Sequence, residues 1–418
     1  MKNHNLRLIL VEPNGSGGLI HYTYQLCTAL ANEGLDVTLV TGKEYELAHL
    51  PHNFEVNSLL DLWGLFDPQA GQQVSANGWQ RWWRKIRWTL RRGQRAVRLL
   101  SAWVKLTQYL SARQPDIVQF SKIHFPFEGI FLAQMRRRGL TLTQICHEFE
   151  LRENHHGPFS SLTVRAYADI YKNFSAIFFH AKENCEKFLA LFPFVDNKKT
   201  YIIPHGNSGW LVQHFPQYHD WHALRERYGL KSGQPVVLFF GLLAPSKGIQ
   251  DLVEAFALVR QTSDAKLLIA GYPTKHFDME ELKEKIAALG LTEHVVLDPR
   301  YIPLDQVGAL LGLATVAVYP YRSSTQSGAL QVAYTFGRPV VATTVGGLPE
   351  AVEHGRSGFL VPANSPTELA EGILKLVTNH ELAKVMGEYA RHLSETRFSW
   401  RSVARQIVKV YDGILEKN

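Results

Sequence analysis

The sequence of 418 residues is poor in cysteine and has no long apolar run. Its three cysteines, Cys27, Cys146 and Cys185, are an odd number without paired spacing, which argues against a disulfide framework and against a structural zinc site. We therefore expect reduced thiols and a cytoplasmic protein. No stretch approaches the roughly eighteen apolar residues that a membrane-spanning helix needs, and the first apolar run is too short for a signal peptide. Any membrane contact is therefore expected to be peripheral.

Acidic residues are absent from one strongly basic segment. Between Trp79 and Lys105 there are nine Lys or Arg and no Asp or Glu, so the formal net charge of +7 leaves 7 − 9 = −2 for the rest of the chain. The spacing predicts an amphipathic helix at about 100° per residue. One face carries arginines and the opposite face apolar side chains: Arg84, Arg87, Arg91, Arg95 and Arg98 against Trp82, Ile86, Leu90, Val97, Leu100 and Val104.

Three interpretations of this helix are open. It can lie in a membrane interface with its arginines near anionic lipid phosphates, which we favour because so many cations without an anion are unusual for a merely solvated face. Alternatively, its apolar side packs on the domain and the arginines face water. Nucleic acid is the least favoured partner, and we expect none, because no recognised nucleic-acid-binding fold accompanies the charge.

The length of the chain exceeds what one hydrophobic core usually organises, so two domains are expected. The chain opens with a predicted strand, Leu6–Glu12, a glycine-rich loop that includes Gly17 and Gly18, a helix and a second strand. In doubly wound parallel sheets this loop lies where ligands bind. The spacing does not meet the dinucleotide-binding pattern, so the loop either touches a ligand or only makes a tight turn.

Ionisable side chains follow a later predicted strand, Leu140–Cys146. His147 and Glu148 come directly after it, and Glu150 is close in the chain. The carboxyl end of such a strand faces the ligand side of the sheet. A lone histidine is often structural, and the glutamates either position an acceptor hydroxyl or are loop charges.

A second domain is predicted to begin near residue 234, after a linker. Its first strand leads into a turn that ends at Lys247 and Gly248, directly before a helix. A cation at a helix start opposes the helix dipole, which makes more sense if a phosphate lies between them. An ordinary surface lysine is the alternative.

The segment from Tyr319 to Leu360 reads as strand, loop, helix and strand. The loop leads into the N-terminus of the helix, whose amides carry partial positive charge and point to the ligand side of the sheet. A nucleotide diphosphate, which is an anion, fits that place. A second glycine pair, Gly346 and Gly347, follows the next strand. Two such loops after neighbouring strands allow a ligand to approach the backbone closely.

At this segment, GRPVVATTVGGLPEAVEHGRSGFLV, and upstream at PVVLFFGLLAPSKGIQDLVEAFALV, the chain resembles the retaining family 4 glycosyltransferases. The resemblance implies an α/β protein of GT-B architecture, with two Rossmann-like doubly wound parallel-sheet domains facing a cleft. The implied domains are an acceptor-binding domain at 1–205 that includes the basic helix 79–105, a linker at 206–233, a nucleotide-sugar-binding domain at 234–395, and a C-terminal helix at 396–418 that crosses back to the first domain.

The resemblance also implies roles for residues. It places His147 alone beside the donor sugar and the acceptor. From the residues themselves we add Lys247 and Arg322 to the expected catalytic set, and Glu148 and Glu150 to the acceptor region. The expected donor-binding residues are Gly17, Gly18, Lys247, Arg300, Tyr301, Ile302, Thr325, Gln326, Ser327, Gly328 and Ala329. No cofactor or metal is expected, because the sequence shows no metal-ligand cluster.

Two departures from the family pattern stand out. Leu242 occupies the place of the usual arginine, and Ser324 and Val332 occupy the places of the usual glutamate pair, with no Asp or Glu between Asp305 and Glu350. Arg322 could replace the lost cation. We expect a divergent but active enzyme that moves glucose from UDP-glucose to a glycan or lipid-linked sugar at the inner membrane face, in exopolysaccharide or cell-envelope synthesis. A catalytically silent nucleotide-sugar-binding subunit and a nucleotide-sugar epimerase are the alternatives.

Overall fold

The structure is a computed structural model that describes residues 6–61, 78–123, 125–149, 167, 169–215 and 221–416, with the side chains of 78–92 and 221 outside that description. The chain divides into two compact units. The first contains Met1–Ile203 and Val403–Asn418, and the second contains Pro204–Ser402.

The first unit is built on a seven-stranded sheet with the strand order β3-β2-β1-β4-β5-β6-β7. Every pair of neighbouring strands is parallel. The order reverses between β1 and β4, which creates a switch point where the loops after these strands diverge. The strands are β1 (Arg7–Glu12), β2 (Asp36–Gly42), β3 (Glu55–Leu60), β4 (Ile117–Phe120), β5 (Leu142–Ile145), β6 (Ala176–Phe179) and β7 (Thr200–Ile202).

The second unit has a six-stranded parallel sheet with the order β10-β9-β8-β11-β12-β13. Its switch point lies between β8 and β11. The central strands are continuous apolar runs because helices cover both faces of a parallel sheet. The strands are β8 (Val236–Phe240), β9 (Lys266–Ala270), β10 (Val295–Asp298), β11 (Val316–Tyr319), β12 (Val340–Thr343) and β13 (Gly358–Val361).

Helices connect the strands in both units. In the first unit they are α1 (Gly18–Asn32), α2 (Gly78–Arg113), α3 (Glu128–Arg137) and α4 (Lys182–Leu191). The second unit contains α5 (Gly209–His214), α6 (Trp221–Arg227), α7 (Ile249–Val259), α8 (Met279–Ala288), α9 (Leu304–Leu313), α10 (Gly328–Thr335), α11 (Leu348–Ala351), α12 (Pro366–Val377) and α13 (His380–Glu395), and α14 spans Trp400–Leu415.

The segment 206–233, which we expected to be a linker, belongs to the second unit. It contains α5 and α6, and Trp210 and Leu211 of α5 are buried. These helices have six and seven residues, too few to display an apolar period in the sequence. The low periodicity therefore reflected short helices that pack on the second unit.

The C-terminal helix α14 contributes to both units. Trp400 donates a hydrogen bond of 2.8 Å from Nε1 to the carbonyl oxygen of Asn207 in the second unit. From Val403 onwards the helix belongs to the first unit, where the buried Tyr411 hydroxyl donates to Gln119 of β4. The Tyr411 ring also meets the edge of Phe178 on β6, with 6.1 Å between centroids.

The basic helix is longer than the predicted 79–105, because α2 has 36 residues. It joins the core of the first unit through Ala102, Trp103, Leu106 and Leu110. Trp103 anchors it further by donating from Nε1 to Glu128 of α3 at 3.2 Å. Across the described ranges, every helix falls short of the length or the apolarity required to traverse a bilayer.

Candidate functional site

In the second unit, the loops after β8 and β11 meet at the switch point through their backbones. Gly248 has φ of +64°, and a Cβ there would lie 1.8 Å from the Pro320 carbonyl oxygen. The Arg322 amide donates to the Ser246 carbonyl oxygen at 2.9 Å. Only glycine fits such a left-handed position under a neighbouring carbonyl. The two loops are therefore locked together at the edge of the sheet where a doubly wound fold binds ligands.

Lys247 lies at this junction. It ends a single 3-10 turn, Pro245–Lys247, and its Nζ is 3.7 Å from the centroid of the Tyr321 ring. A cation over an aromatic face is attracted by the ring quadrupole. Tyr321 is buried, and its hydroxyl lies 3.1 Å from Ser327 Oγ. Burial raises the pKa of Tyr321 to about 12, so the phenol stays neutral.

Ser327 is the N-cap of α10, the helix after β11. Its Oγ accepts a hydrogen bond of 3.2 Å from the Leu330 amide. The N-terminus of a helix carries partial positive charge and exposes amides suited to an anion. Lys247, the Tyr321 ring and the capped start of α10 are therefore linked by consecutive contacts in one corner of the sheet.

Arg322 is committed to a different partner. Its Nε and Nη2 bind the two carboxylate oxygens of Asp251 on α7 at 2.8 and 2.6 Å. The hydrogen bond to Asp251 raises the pKa of Arg322, so the cation is fixed and its charge is balanced. We expected Arg322 to replace the missing arginine at position 242. The fork geometry ties the β11 loop to α7, and the catalytic role that we expect for Arg322 stays a prediction.

The donor-loop residues Thr325, Gln326, Ser327, Gly328 and Ala329 are all half-buried after β11. The Gly347 amide donates to the Thr325 carbonyl oxygen at 3.1 Å. Gly346, with φ of +53°, would place a Cβ 1.6 Å from the Ser324 carbonyl oxygen. The loop with Gly346 and Gly347 thus supports the donor loop. The prediction that both loops follow neighbouring strands, β12 and β11, is confirmed.

Ser324 and Val332, which the sequence analysis assigned to the places of the glutamate pair, both lie in the second unit. The Ser324 hydroxyl is bonded inside its own loop, to the Gln326 carbonyl oxygen at 2.8 Å. Val332 lies half-buried on α10. This corner therefore offers amide and hydroxyl groups.

His205, which we did not single out, lies beside the start of α10. A Cβ on Gly328 would be 3.7 and 3.8 Å from its ring atoms Cε1 and Nε2. Its Nδ1 is 2.8 Å from the Gly206 carbonyl oxygen and donates to it. Burial lowers the pKa of His205 to about 4, so the ring is neutral at physiological pH. We had placed His205 at the end of the first domain, directly before the predicted linker.

Three residues of the loop after β10, Arg300, Tyr301 and Ile302, have separate environments. Arg300 binds Asp298 Oδ1 from Nε and Gln306 Oε1 from Nη2, each at 2.8 Å. Ile302 is buried, whereas Tyr301 is 44% exposed. Arg300 therefore stabilises the turn, and Tyr301 is the member of this set with an accessible aromatic face.

In the first unit, His147 lies in a cluster of rings just after β5. It is 4% exposed, and its ring meets the edge of Tyr22 with 4.7 Å between centroids. His180, directly after β6, lies 5.0 Å away between ring centroids. Sequence reasoning singled out His147 but missed His180, although both histidines come within two residues of the ends of neighbouring strands. Glu148 forms an ion pair of 3.1 Å with Lys122, and Glu150 lies outside the described residues.

The glycine-rich loop of the first unit is held by Glu46. Gly17 precedes α1, and its amide donates to Glu46 Oε1 at 3.1 Å. His21, one turn into α1, binds the same carboxylate oxygen. Gly18 has open space at its Cβ position. In this structure the Gly17 amide is therefore hydrogen-bonded to Glu46, and this bond stabilises the glycine-rich loop.

Glu12, at the end of β1, is a buried carboxyl that we did not expect. It accepts hydrogen bonds from the Ser121 hydroxyl and, at 2.9 Å, from the Asn14 amide. Burial raises its pKa to about 7, although the bonds from Ser121 and Asn14 lower it in part. Such a group can bind or release a proton near neutral pH, and it lies at the switch point of the first sheet.

Two parallel sheets, each with a switch point, define a protein of the GT-B class. Structures of that class match over nearly the whole chain. Sucrose-phosphate synthase from Thermosynechococcus elongatus has a TM-score of 0.71 at 20% identity and covers 99% of this chain and 100% of its own. HepE from Anabaena, in complex with UDP and glucose, has a TM-score of 0.70 at 19% identity, with coverage of 98% and 100%.

Family descriptions match both units. Glycosyltransferase Family 4 matches residues 16–207, and Glycosyl transferases group 1 matches residues 234–379. The chain belongs to the family 4 glycosyltransferases of GT-B architecture. Alpha-D-kanosaminyltransferase of Streptomyces kanamyceticus is 31% identical over 192 residues, which are 46% of this chain and 48% of that protein. The chain spans about half the length of the curated relatives it matches.

Proposed function

We propose that the protein is a retaining glycosyltransferase that moves a hexose from a nucleotide sugar to a glycan or lipid-linked sugar. The observation that carries this proposal is the corner formed by Lys247, Tyr321 and the Ser327-capped start of α10. It combines a cation with helix amides, which is what a leaving diphosphate requires. UDP-glucose is the proposed donor, and HepE, with a similar fold, is described with UDP and glucose.

The proposed chemistry needs no carboxylate nucleophile. The acceptor oxygen forms a bond to the anomeric carbon as the bond from that carbon to the diphosphate oxygen breaks on the same face. Lys247 and the amides of Ser327 and Gly328 stabilise the charge that develops on the diphosphate. The departing phosphate takes the proton of the acceptor hydroxyl. A neutral loop at residues 323–328 suits this route, and the proposed reaction is metal-independent.

The remaining parts of the proposal concern the acceptor end. We assign His147 to the sugar and acceptor side of the reaction, with Glu148 near the acceptor. The acceptor is proposed to be a sugar carried by a lipid, in exopolysaccharide or cell-envelope synthesis. The protein would then work in the cytoplasm, bound peripherally to the inner face of the membrane.

A silent nucleotide-sugar-binding subunit is the second candidate, because Ser324 and Val332 replace the usual glutamate pair. A nucleotide-sugar epimerase of the same fold is a further alternative, and turnover of the donor sugar without acceptor would identify it. These candidates share a nucleotide site but differ in what happens to the donor.

Calorimetric titration with UDP, GDP, UDP-glucose and GDP-mannose, followed by a test for slow donor hydrolysis, separates the candidates. We expect UDP to bind and UDP-glucose to be cleaved, and Lys247→Ala to lose both by at least about tenfold. Lys384→Ala, an exposed charge on α13, is the matched control and should change neither. Binding without cleavage, even with membrane lipid extract, would favour the silent subunit. Absence of nucleotide binding would overturn the proposal.

A further inference from the structure

Among the side chains of α2 that the structure describes, at residues 93–113, there are two apolar faces, and only one of them packs on the domain. Ala102, Trp103, Leu106 and Leu110 enter the core of the first unit. Val97, Leu100 and Val104 lie outside it, with 67%, 47% and 44% of their surface exposed. Their spacing of three and four residues places them on one face of the helix. We call these three side chains the α2 stripe.

The α2 stripe bears on the interpretation of the basic helix. If the apolar side that is opposite the arginines served only to attach the helix, Val97, Leu100 and Val104 would be buried. The attachment instead uses Trp103 and its neighbours, with the Trp103 indole bonded to Glu128. The stripe therefore contributes little to the fold, and a contiguous exposed apolar face points to a partner.

The positive charge of the same helix indicates which kind of partner the stripe would bind. Arg95, Arg98 and Lys105 on the same helix are exposed, and the segment from Trp79 to Lys105 contains no acidic residue. A second copy docked through this stripe would bring two cation-rich helices together at a cost in repulsion. An anionic bilayer surface offers the opposite charge and an apolar layer within reach.

We propose that the α2 stripe is the surface by which this protein docks on an anionic membrane, with α2 lying in the plane of the interface. The apolar side chains of Val97, Leu100 and Val104 enter the boundary of the acyl chains. Arg95, Arg98 and Lys105 lie on the opposite face of the helix, so they attract the anionic surface through their electrostatic field and not through contacts beside the stripe. The α2 stripe is thus the membrane-contacting face of the proposed glycosyltransferase. The lipid-linked nature of the acceptor comes from the proposed function, on which this inference rests.

Sedimentation with vesicles tests the proposal on the full chain. Phosphatidylcholine vesicles with about a third phosphatidylglycerol are compared with pure phosphatidylcholine vesicles, at low and at high salt. The Val97→Ser/Leu100→Ser/Val104→Ser variant should bind the anionic vesicles at least about tenfold more weakly than the wild type, because each side chain loses apolar area that it would bury. Val385→Ser is the matched control, because Val385 is an apolar residue of α13 that is 59% exposed.

The outcomes separate docking from catalysis. The proposal is supported if the triple variant loses vesicle binding, keeps the wild-type melting temperature and binds UDP unchanged. It is overturned if the triple variant binds vesicles like the wild type, or if the wild type ignores anionic vesicles. A concentration-dependent dimer that the triple variant abolishes would also overturn it in favour of a second copy. Loss of UDP binding by the wild type would count against the proposed function alone.

Discussion

Lys247 Nζ lies 3.7 Å from the centroid of the Tyr321 ring, whose hydroxyl is 3.1 Å from the N-cap serine of α10. One buried aromatic side chain therefore contacts both the cation and the helix start that we propose for the diphosphate. Leu242, in the same turn as Lys247, carries no charge. At the switch point of the second unit, the Tyr321 ring therefore helps to fix the position of the Lys247 ammonium group.

Replacing Tyr321 tests this arrangement. Tyr321→Leu removes the ring under Lys247 and should weaken UDP binding by about three- to thirtyfold, the range expected for a cation–π contact of about 0.5–2 kcal/mol. Tyr321→Phe keeps the ring and should lose less. In a Lys247→Ala background, Tyr321→Leu should have no further effect on UDP affinity, because the ring acts through the lysine. Calorimetry measures the wild type and the four variants, and equal losses in both backgrounds would contradict the assignment.

Arg322→Gln distinguishes a structural arginine from a catalytic one. The variant breaks the bidentate bond to Asp251 and should lower the free energy of unfolding by roughly 1–2 kcal/mol, a modest value because the arginine is half exposed. Donor cleavage should fall by less than about tenfold, since the guanidinium already serves Asp251. A loss of kcat as large as that of Lys247→Ala, at unchanged stability, would restore Arg322 to the catalytic set.

Gly346→Ala should damage the donor loop. The added Cβ would meet the Ser324 carbonyl oxygen at 1.6 Å, and the left-handed backbone adds strain. We expect about 1–3 kcal/mol lower stability and at least about tenfold weaker UDP binding, measured by calorimetry. Gly290→Ala is the control, because it shares a positive φ of 67° but has nothing within 4 Å of its Cβ position. That variant should lose some stability and retain its UDP affinity.

Glu12→Gln should change how stability depends on pH. The pKa of Glu12 is raised from about 4.5 to about 7, so its contribution is fully present below pH 4.5 and is lost as the pH rises through 7. The carboxylate therefore costs up to roughly 3 kcal/mol above pH 7. Glutamine can accept from the Asn14 amide through Oε1 and donate from Nε2 to Ser121 Oγ, which can keep its own bond to the Val11 carbonyl oxygen, without that cost.

The measurement for Glu12 is the melting temperature from pH 4 to pH 9. The difference between Glu12→Gln and the wild type should grow in favour of the variant between pH 5 and pH 8. Glu186→Gln, at an exposed position on α4, should run parallel to the wild type throughout. A constant offset for Glu12→Gln would show that Glu12 titrates at its ordinary pKa in the folded protein.

Local patterns were enough to predict much of this architecture. The apolar runs and the turns at Lys247 and Gly346 depend on neighbouring residues, and they led to both sheets and to the loops at the second switch point. The bond of Arg322 to Asp251 joins residues 71 positions apart, and that of Ser121 to Glu12 joins residues 109 positions apart. Periodicity carries no information about such pairings, so the structural role of Arg322 and the buried Glu12 were missed.

Amphipathicity was a sound guide for α2 but could not decide which apolar face is attached to the domain. Trp103 and Val104 are adjacent in the sequence, yet the first is 6% exposed and the second 44%. Which face is buried depends on α3 and the sheet beneath it, not on the helix itself. The side chains of Trp82, Arg84, Arg87 and Arg91 lie outside the described part of the chain, so the membrane role of that half of the helix stays a prediction.

The division of α14 affects the order in which the protein can fold. The first unit needs Val403–Leu415, including the Tyr411 hydroxyl that binds Gln119 of its central sheet. During synthesis those residues follow the whole of the second unit. The first sheet therefore emerges from the ribosome early but cannot complete its core until the second unit has been made, so the N-terminal part of the chain must wait, incompletely packed, for its last helix.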